Sequence, residues 1–189
     1  MDIFGRNRYV IQSELSGSKD TLGIMDQNMH LLCYAKHSHS WREPEGTIGS
    51  MVGNRMQTTD VRLEGTDASL LGEIHEIPTG LMRVIRKWKI FNEKNEFKGA
   101  VKEKPKFIGS DWVLETFEGV VATIKGDRKK HNYEVRTADR YMQTIARCSA
   151  IDEKSYGAEI LVSNLTPFLV LSYIIVLDLA KAAYAVRGN

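Results

Sequence analysis

Cysteine and proline are scarce in this chain, and the missing residues exclude several architectures at once. Of 189 residues only two are cysteine, Cys33 and Cys148, and four are proline. Two isolated cysteines without metal-type spacing argue against both a disulfide scaffold and a zinc site, and they fit a reduced intracellular compartment. The N-terminal stretch MDIFGRNRYVIQSEL has no apolar core, so a secretory signal is not expected. No apolar run approaches the roughly 20 residues that a membrane-spanning helix needs. Catalytic signatures are missing too. There is no Gly-x-Ser-x-Gly elbow, no His-Glu-x-x-His, no dinucleotide fingerprint, and no Gly-Lys-Ser/Thr after Gly46, Gly49 or Gly53. Neither cysteine has an identifiable base partner, and the chain is expected not to be an enzyme. A hydrophobic share of 42% with 26% charge excludes disorder and is enough to fill a core. One domain over residues 1–189 is expected at this length.

The most apolar stretch runs from Phe168 to Leu177, FLVLSYIIVL, with the hydroxyls of Ser172 and Tyr173 as its only polar side-chain atoms. Stepped at about 100° per residue it is apolar on every side, so as a helix it must be buried all round. Thr166 can cap it, Pro167 suits its first position, and Arg187 with Gly188 marks the stop. A helix over about 167–187 is therefore expected. Asp178 and Lys181 end the run after ten residues, which favours a helix sheathed by protein over a membrane span.

Its sheath is read from a recurring unit. Leu22–Lys36, Val61–Ile77, Trp88–Glu103, Trp112–Gly126 and Tyr133–Cys148 each join two β-rich runs through a short polar break, as β-hairpins do. Arg8–Leu15 and Tyr156–Val162 add two more strands, making about twelve. Alternation places Trp88, Ile90, Phe97 and Val101 on one face. Trp112 and Leu114 are expected to face inward with Val120, Ala122 and Ile124, and Tyr133 and Val135 with Met142, Ala146 and Cys148. Small inward residues, Gly99, Ala122 and Ala146, leave room for something bulky. Eight strands close around side chains alone, whereas about twelve leave a lumen that one helix, about 10 Å across, can fill. The fold expected is mainly β (β+α): a closed antiparallel barrel of about twelve strands around a buried apolar C-terminal helix. The stretch 37–59, HSHSWREPEGTIGSMVGNRMQTT, is Gly-rich and reads as a long loop.

The stretches LGIMDQNMHLLCYAK (Leu22–Lys36) and YGAEILVSNLTPFLVLSYIIVLDLAKA (Tyr156–Ala182) resemble the tubby C-terminal-like superfamily, within it the phospholipid scramblase and LURP-one-related branch. That resemblance covers nearly the whole chain. It implies a twelve-stranded barrel around a central helix, agreeing with the strand count, and binding of phosphoinositide or other anionic headgroups on the barrel wall. Scramblases carry an acidic calcium motif just before the helix. Here Asp152 matches its first carboxylate, but Lys154 follows, and Asn164-Leu165-Thr166 stands where the acidic pair should be. A hard cation wants six to eight oxygens. Asp152 remains a weak candidate, and neither calcium nor another cofactor is expected. His37, His39 and nearby His30 lack a further ligand at metal spacing and read as polar loop residues.

Charge is unevenly spread. Residues 1–82 carry 7 Lys/Arg against 11 Asp/Glu, residues 83–106 carry 9 against 3, and residues 125–147 carry 7 against 3. The headgroup-binding residues expected are Arg86, Lys87, Lys102, Lys104 and Lys106 around one hairpin, and Arg128, Lys129 and Lys130 in a turn. Solvated lysines without a ligand are the bland alternative. The function expected is lipid binding at an anionic membrane surface by a cytoplasmic, peripheral protein. The alternatives are lipid scrambling proper and an interaction scaffold. A protein partner fits the last, whereas nucleic acid does not, since Trp88 and Trp112 are expected to face inward rather than interleave with the basic clusters.

Overall fold

The computed structural model describes residues 3–13, 20–43, 55–78, 86–105, 110–161 and 164–185. Twelve strands form one closed, wholly antiparallel barrel: β1 (Arg8–Gln12), β2 (Thr21–Met25), β3 (Leu31–Arg42), β4 (Met56–Gly65), β5 (Leu70–Ile77), β6 (Lys87–Asn92), β7 (Phe97–Pro105), β8 (Ser110–Thr116), β9 (Gly119–Asp127), β10 (Asn132–Thr137), β11 (Thr144–Ala150) and β12 (Ser155–Ile160). Each strand pairs with its sequence neighbours, and β1 closes on β12 from Arg8 opposite Glu159 to Gln12 opposite Ser155. Closure leaves no unpaired edge. The helix α1 (Pro167–Ala185) follows β12 and fills the barrel. Arg187 and Gly188 lie outside the described residues.

The turns explain why the hairpins form where they do. Asx side chains accept backbone N–H groups across most of the tight connections. Asp26 takes Asn28 N at 2.8 Å and His30 N at 3.0 Å. Asn92 takes Glu96 N at 2.8 Å, Asp139 takes Tyr141 N at 2.9 Å, and Asp152 takes Ser155 N at 2.8 Å. Such a carboxylate or amide imitates a backbone turn and fixes the reversal locally.

Packing inside is set by the helix. Val170 to Leu177 are buried without exception, Ser172 included, and inward residues from strands all round the barrel complete one core. Tyr173 donates its hydroxyl to Trp112 O at 2.6 Å, so its polar tip is matched within the lumen. Two glycines let the helix approach the wall. A Cβ on Gly72 would lie 2.7 Å from the Phe168 ring, and one on Gly99 would meet Leu169 Cδ1 at 3.0 Å and Glu115 O at 2.9 Å. The helix enters at the end of the barrel that holds Phe4, whose ring meets Phe168 at 5.1 Å. It leaves at the opposite end, beside the β9–β10 turn.

Three inward assignments and one loop are corrected. Phe97, opposite Phe91, lies on the outer wall; Val120 is 37% exposed; and Met142 is 53% exposed in a turn at φ 47°. Register shifts between Ile90 and Phe91 and between Leu114 and Glu115 reverse the alternation at Phe97 and Val120, whereas Met142 precedes β11 and sits in the turn. The 37–59 stretch is shorter as a loop than its composition suggests. His37 to Arg42 continue β3 and Met56 to Thr59 begin β4, paired from His37 opposite Val61 to Arg42 opposite Met56. Residues 44–54 lie outside the described residues.

Candidate functional site

Antiparallel order gathers the basic segments at one end. β6 starts, β7 ends and β9 ends where α1 leaves the barrel, so residues more than 25 positions apart along the chain share one rim. Within that rim they divide into two sets.

The first set faces outward. Lys87 stands directly opposite Lys102, Lys89 opposite Ala100, and Lys104 opposite Asp111, on the face away from the inward Trp88 and Val101. Glu115 lies 3.8 Å from Lys102 Nζ and 4.0 Å from Lys104 Nζ, too far for tight pairing and shared between two cations. Like charges placed directly across a ladder repel. The wall thus gathers Lys87, Lys89, Lys102 and Lys104 on one face, with Glu115 and Asp111 among them. Lys130 is exposed on the β9–β10 turn, two strands further round. Lys106 lies outside the described residues, as does the side chain of Lys129.

The second set turns inward. Arg128 opens a short 3-10 turn, Arg128–Lys130, that Asp127 caps through Lys130 N. Its guanidinium lies over the Trp112 ring, 4.7 Å from the centroid, and donates to Leu177 O on the helix at 3.2 Å. Arg86 sits 5.9 Å over Trp88, and the two indoles meet at 5.5 Å. His131, at φ 50°, puts Nε2 3.4 Å from Asp178 Oδ1 and stacks on Tyr156 at 4.2 Å. Arg128 and His131 thus hold the polar half of the helix at the barrel mouth. The sequence reading placed both Arg86 and Arg128 with the headgroup residues and gave His131, in the same basic turn, no contact to the helix. Asp178 was the available signal, because a carboxylate on an otherwise sheathed helix needs a partner.

A further ionic cluster, also unanticipated, fastens the distal part of the β3–β4 hairpin to β5. Asp60 receives a two-pronged contact from Arg42, whose Nη2 is 2.8 Å from Asp60 Oδ2, and a hydrogen bond from Ser40 Oγ at 2.7 Å. His75 lies 3.5 Å from Asp60 and 3.2 Å from Glu73. Burial alone would raise the Asp60 pKa, but hydrogen bonds from His75, Arg42 and Ser40 outweigh it and hold the carboxyl down at about 2. The Asp60 contact raises His75 against the opposing effect of burial.

Asp152, the calcium candidate, is engaged by its own turn. It accepts from Lys154 N and Ser155 N at 2.8 Å each and from Ser155 Oγ at 2.6 Å, and the Ser155 hydroxyl leads in lowering its pKa. Among the described residues no group of three His, Cys, Asp or Glu side chains is placed to hold a metal ion. Cys33 and Cys148 are buried, and burial pushes both thiols up to about 12. Among the described residues no helix is long and apolar enough to cross a membrane.

A comparison with solved structures finds the same architecture elsewhere. An X-ray structure of a protein from Arabidopsis thaliana, AT5G01750, superposes with a TM-score of 0.59 over 92% of this chain and 91% of that one, at 13% identity. At that identity the likeness is one of fold. No family model matches the chain, and no curated protein matches it by sequence.

Proposed function

We propose that this chain is a non-enzymatic, tubby-like barrel of the scramblase and LURP-one-related kind that binds anionic phospholipid or phosphoinositide as a peripheral protein on the cytoplasmic side of a membrane. The observation that carries the reading is the outer wall of β6 and β7, where Lys87 opposes Lys102 and Lys89 and Lys104 extend the same face. Four lysines on one outer face suit an anionic leaflet, near which each basic residue contributes about 1 kcal/mol. Lipid scrambling proper is less well supported, because the apolar helix is committed to the lumen and is not available to span a bilayer. Trp88 and Trp112, beside the basic mouth, are buried and offer no stacking platform to nucleic acid.

Co-sedimentation with vesicles decides. Phosphatidylcholine vesicles containing phosphatidylserine or a phosphoinositide should pull the protein down, and less of it as salt rises, because exposed charges are screened within about 8–10 Å. Equal binding to neutral vesicles would contradict the proposal.

A further inference from the structure

The end of the barrel opposite the charged mouth carries an exposed apolar cluster that headgroup binding leaves unused. Phe117 at the β8–β9 turn is 85% exposed, Tyr141 and Met142 at the β10–β11 turn are 63% and 53% exposed, and Val120 beside them is 37% exposed. Ala138 N donates to Val121 O at 3.0 Å and ties the two turns together. Their polar groups are largely satisfied from within. Asp139 accepts from Tyr141 N, Met142 N and the Thr137 hydroxyl, and Thr116 Oγ1 accepts from Glu118 N. These bonds pair much of the tips' backbone, while the exposed charges of Glu118, Asp139 and Arg140 have to stay among hydrated headgroups.

The cluster is continuous with the lysine wall. Phe117 meets Phe97 edge-on at 5.0 Å, and Phe97 meets Phe91 at 6.0 Å. From Phe91 the same outer face of β6 continues to Lys89 and Lys87, and from Phe97 that of β7 continues to Lys102 and Lys104. Five residues of strand, roughly 17 Å, separate Phe97 from Lys102. One wall thus passes from aromatic rings to cations, as in surfaces that lie in the interfacial region of a bilayer. Resting on the lipid reading of the lysine wall, we propose that Phe117, Tyr141 and Met142 form an apolar foot that enters the headgroup–acyl boundary of the same bilayer. Continuity with the cations selects lipid over a soluble partner. Glu118, next to Phe117, opposes an anionic surface, so Glu118→Gln should strengthen binding.

Labelling tests the foot directly. Because both native cysteines are buried, Phe117→Cys can carry a single environment-sensitive fluorophore, with Ser149→Cys on the exposed face of β11 as control. On vesicles of phosphatidylcholine and phosphatidylserine, the label at 117 should shift to the blue and be quenched by nitroxide-bearing acyl chains, while that at 149 stays unchanged. Phe117→Ser with Met142→Ser should weaken vesicle binding roughly tenfold, from the apolar area withheld. The salt dependence should keep its slope, whereas Lys87→Glu with Lys102→Glu flattens it. Co-sedimentation with an unchanged label at 117 overturns the foot and leaves the lysine wall standing, while failure to sediment overturns both. A blue shift that grows with protein concentration without lipid assigns the patch to a second copy and overturns the proposal.

Discussion

Two sets of basic residues at the barrel mouth lie close together and do opposite work. Arg86 and Arg128 lean inward over Trp88 and Trp112, and Arg128 reaches a helix carbonyl. Lys87, Lys102 and Lys104 lie on the opposite face of the wall from the same tryptophans. The chemistry of the two residue types accounts for the split. A guanidinium is planar, weakly hydrated and stacks on an aromatic face, so it tolerates a half-buried site. An ammonium is strongly hydrated and belongs where water or an anionic headgroup can reach it. Charge counted along the chain merges the two sets, and only the closed barrel separates a cation that holds the helix from one that can meet a ligand.

The interior should break first. Ile174→Lys places a charge at a fully buried position of the lumen and is expected to abolish folding, seen as loss of soluble protein and of a cooperative melt. A folded Ile174→Lys protein would contradict the enclosed helix. Leu171→Ala should cost about 2–5 kcal/mol through the cavity it leaves, measured by denaturant unfolding. Next comes the mouth. Arg128→Ala removes the Trp112 contact and the hydrogen bond to Leu177 O and should cost about 1–3 kcal/mol in the same measurement. Unaltered stability would return Arg128 to the ligand-facing set.

Acid provides a milder probe of the wall. Asp60 has a folded-state pKa below its ordinary value, so its contribution is present above about pH 4 and is lost as pH falls toward about 2. Asp60→Asn should remove on the order of 1–2 kcal/mol of that acid-side loss, seen as a flatter stability profile over this range. His75 works in the other direction. With its pKa raised, its contribution is present below its ordinary value near 6.5 and is lost as pH rises through the shifted one. A profile identical to wild type would show that the cluster does not fasten the hairpin.

Barrel and helix were legible because each follows from a period. An unbroken apolar run has one solution in a chain without a membrane-length span, and five alternating hairpins need something to cover. What stayed hidden lies where the period fails. In HSHSWR and MQTTD both faces are polar, so the distal halves of β3 and β4 show no alternation and read as loop. Bulges reverse the faces at Phe97 and Val120 and a turn takes Met142 out of its strand, features that a sequence does not announce. Of the expected headgroup residues, Lys87, Lys102 and Lys104 fall on one wall. Arg86 departs over Trp88, and Arg128 departs because a single 3-10 turn aims it at the helix, a local geometry that composition does not encode.

The most direct test scores unfolding and vesicle binding together on two variants. Lys87→Glu with Lys102→Glu should lower affinity for phosphatidylserine vesicles by about 2 kcal/mol or more, at about 1 kcal/mol per basic residue, and leave the stability within about 0.5 kcal/mol of wild type. Arg128→Ala should do the reverse, lowering stability while vesicle affinity at low temperature, where the fold persists, stays within a factor of about five, the share of one charge. That crossed pattern is the predicted result. Undiminished vesicle binding by the lysine variant, with the arginine variant losing affinity and keeping its stability, would contradict the account.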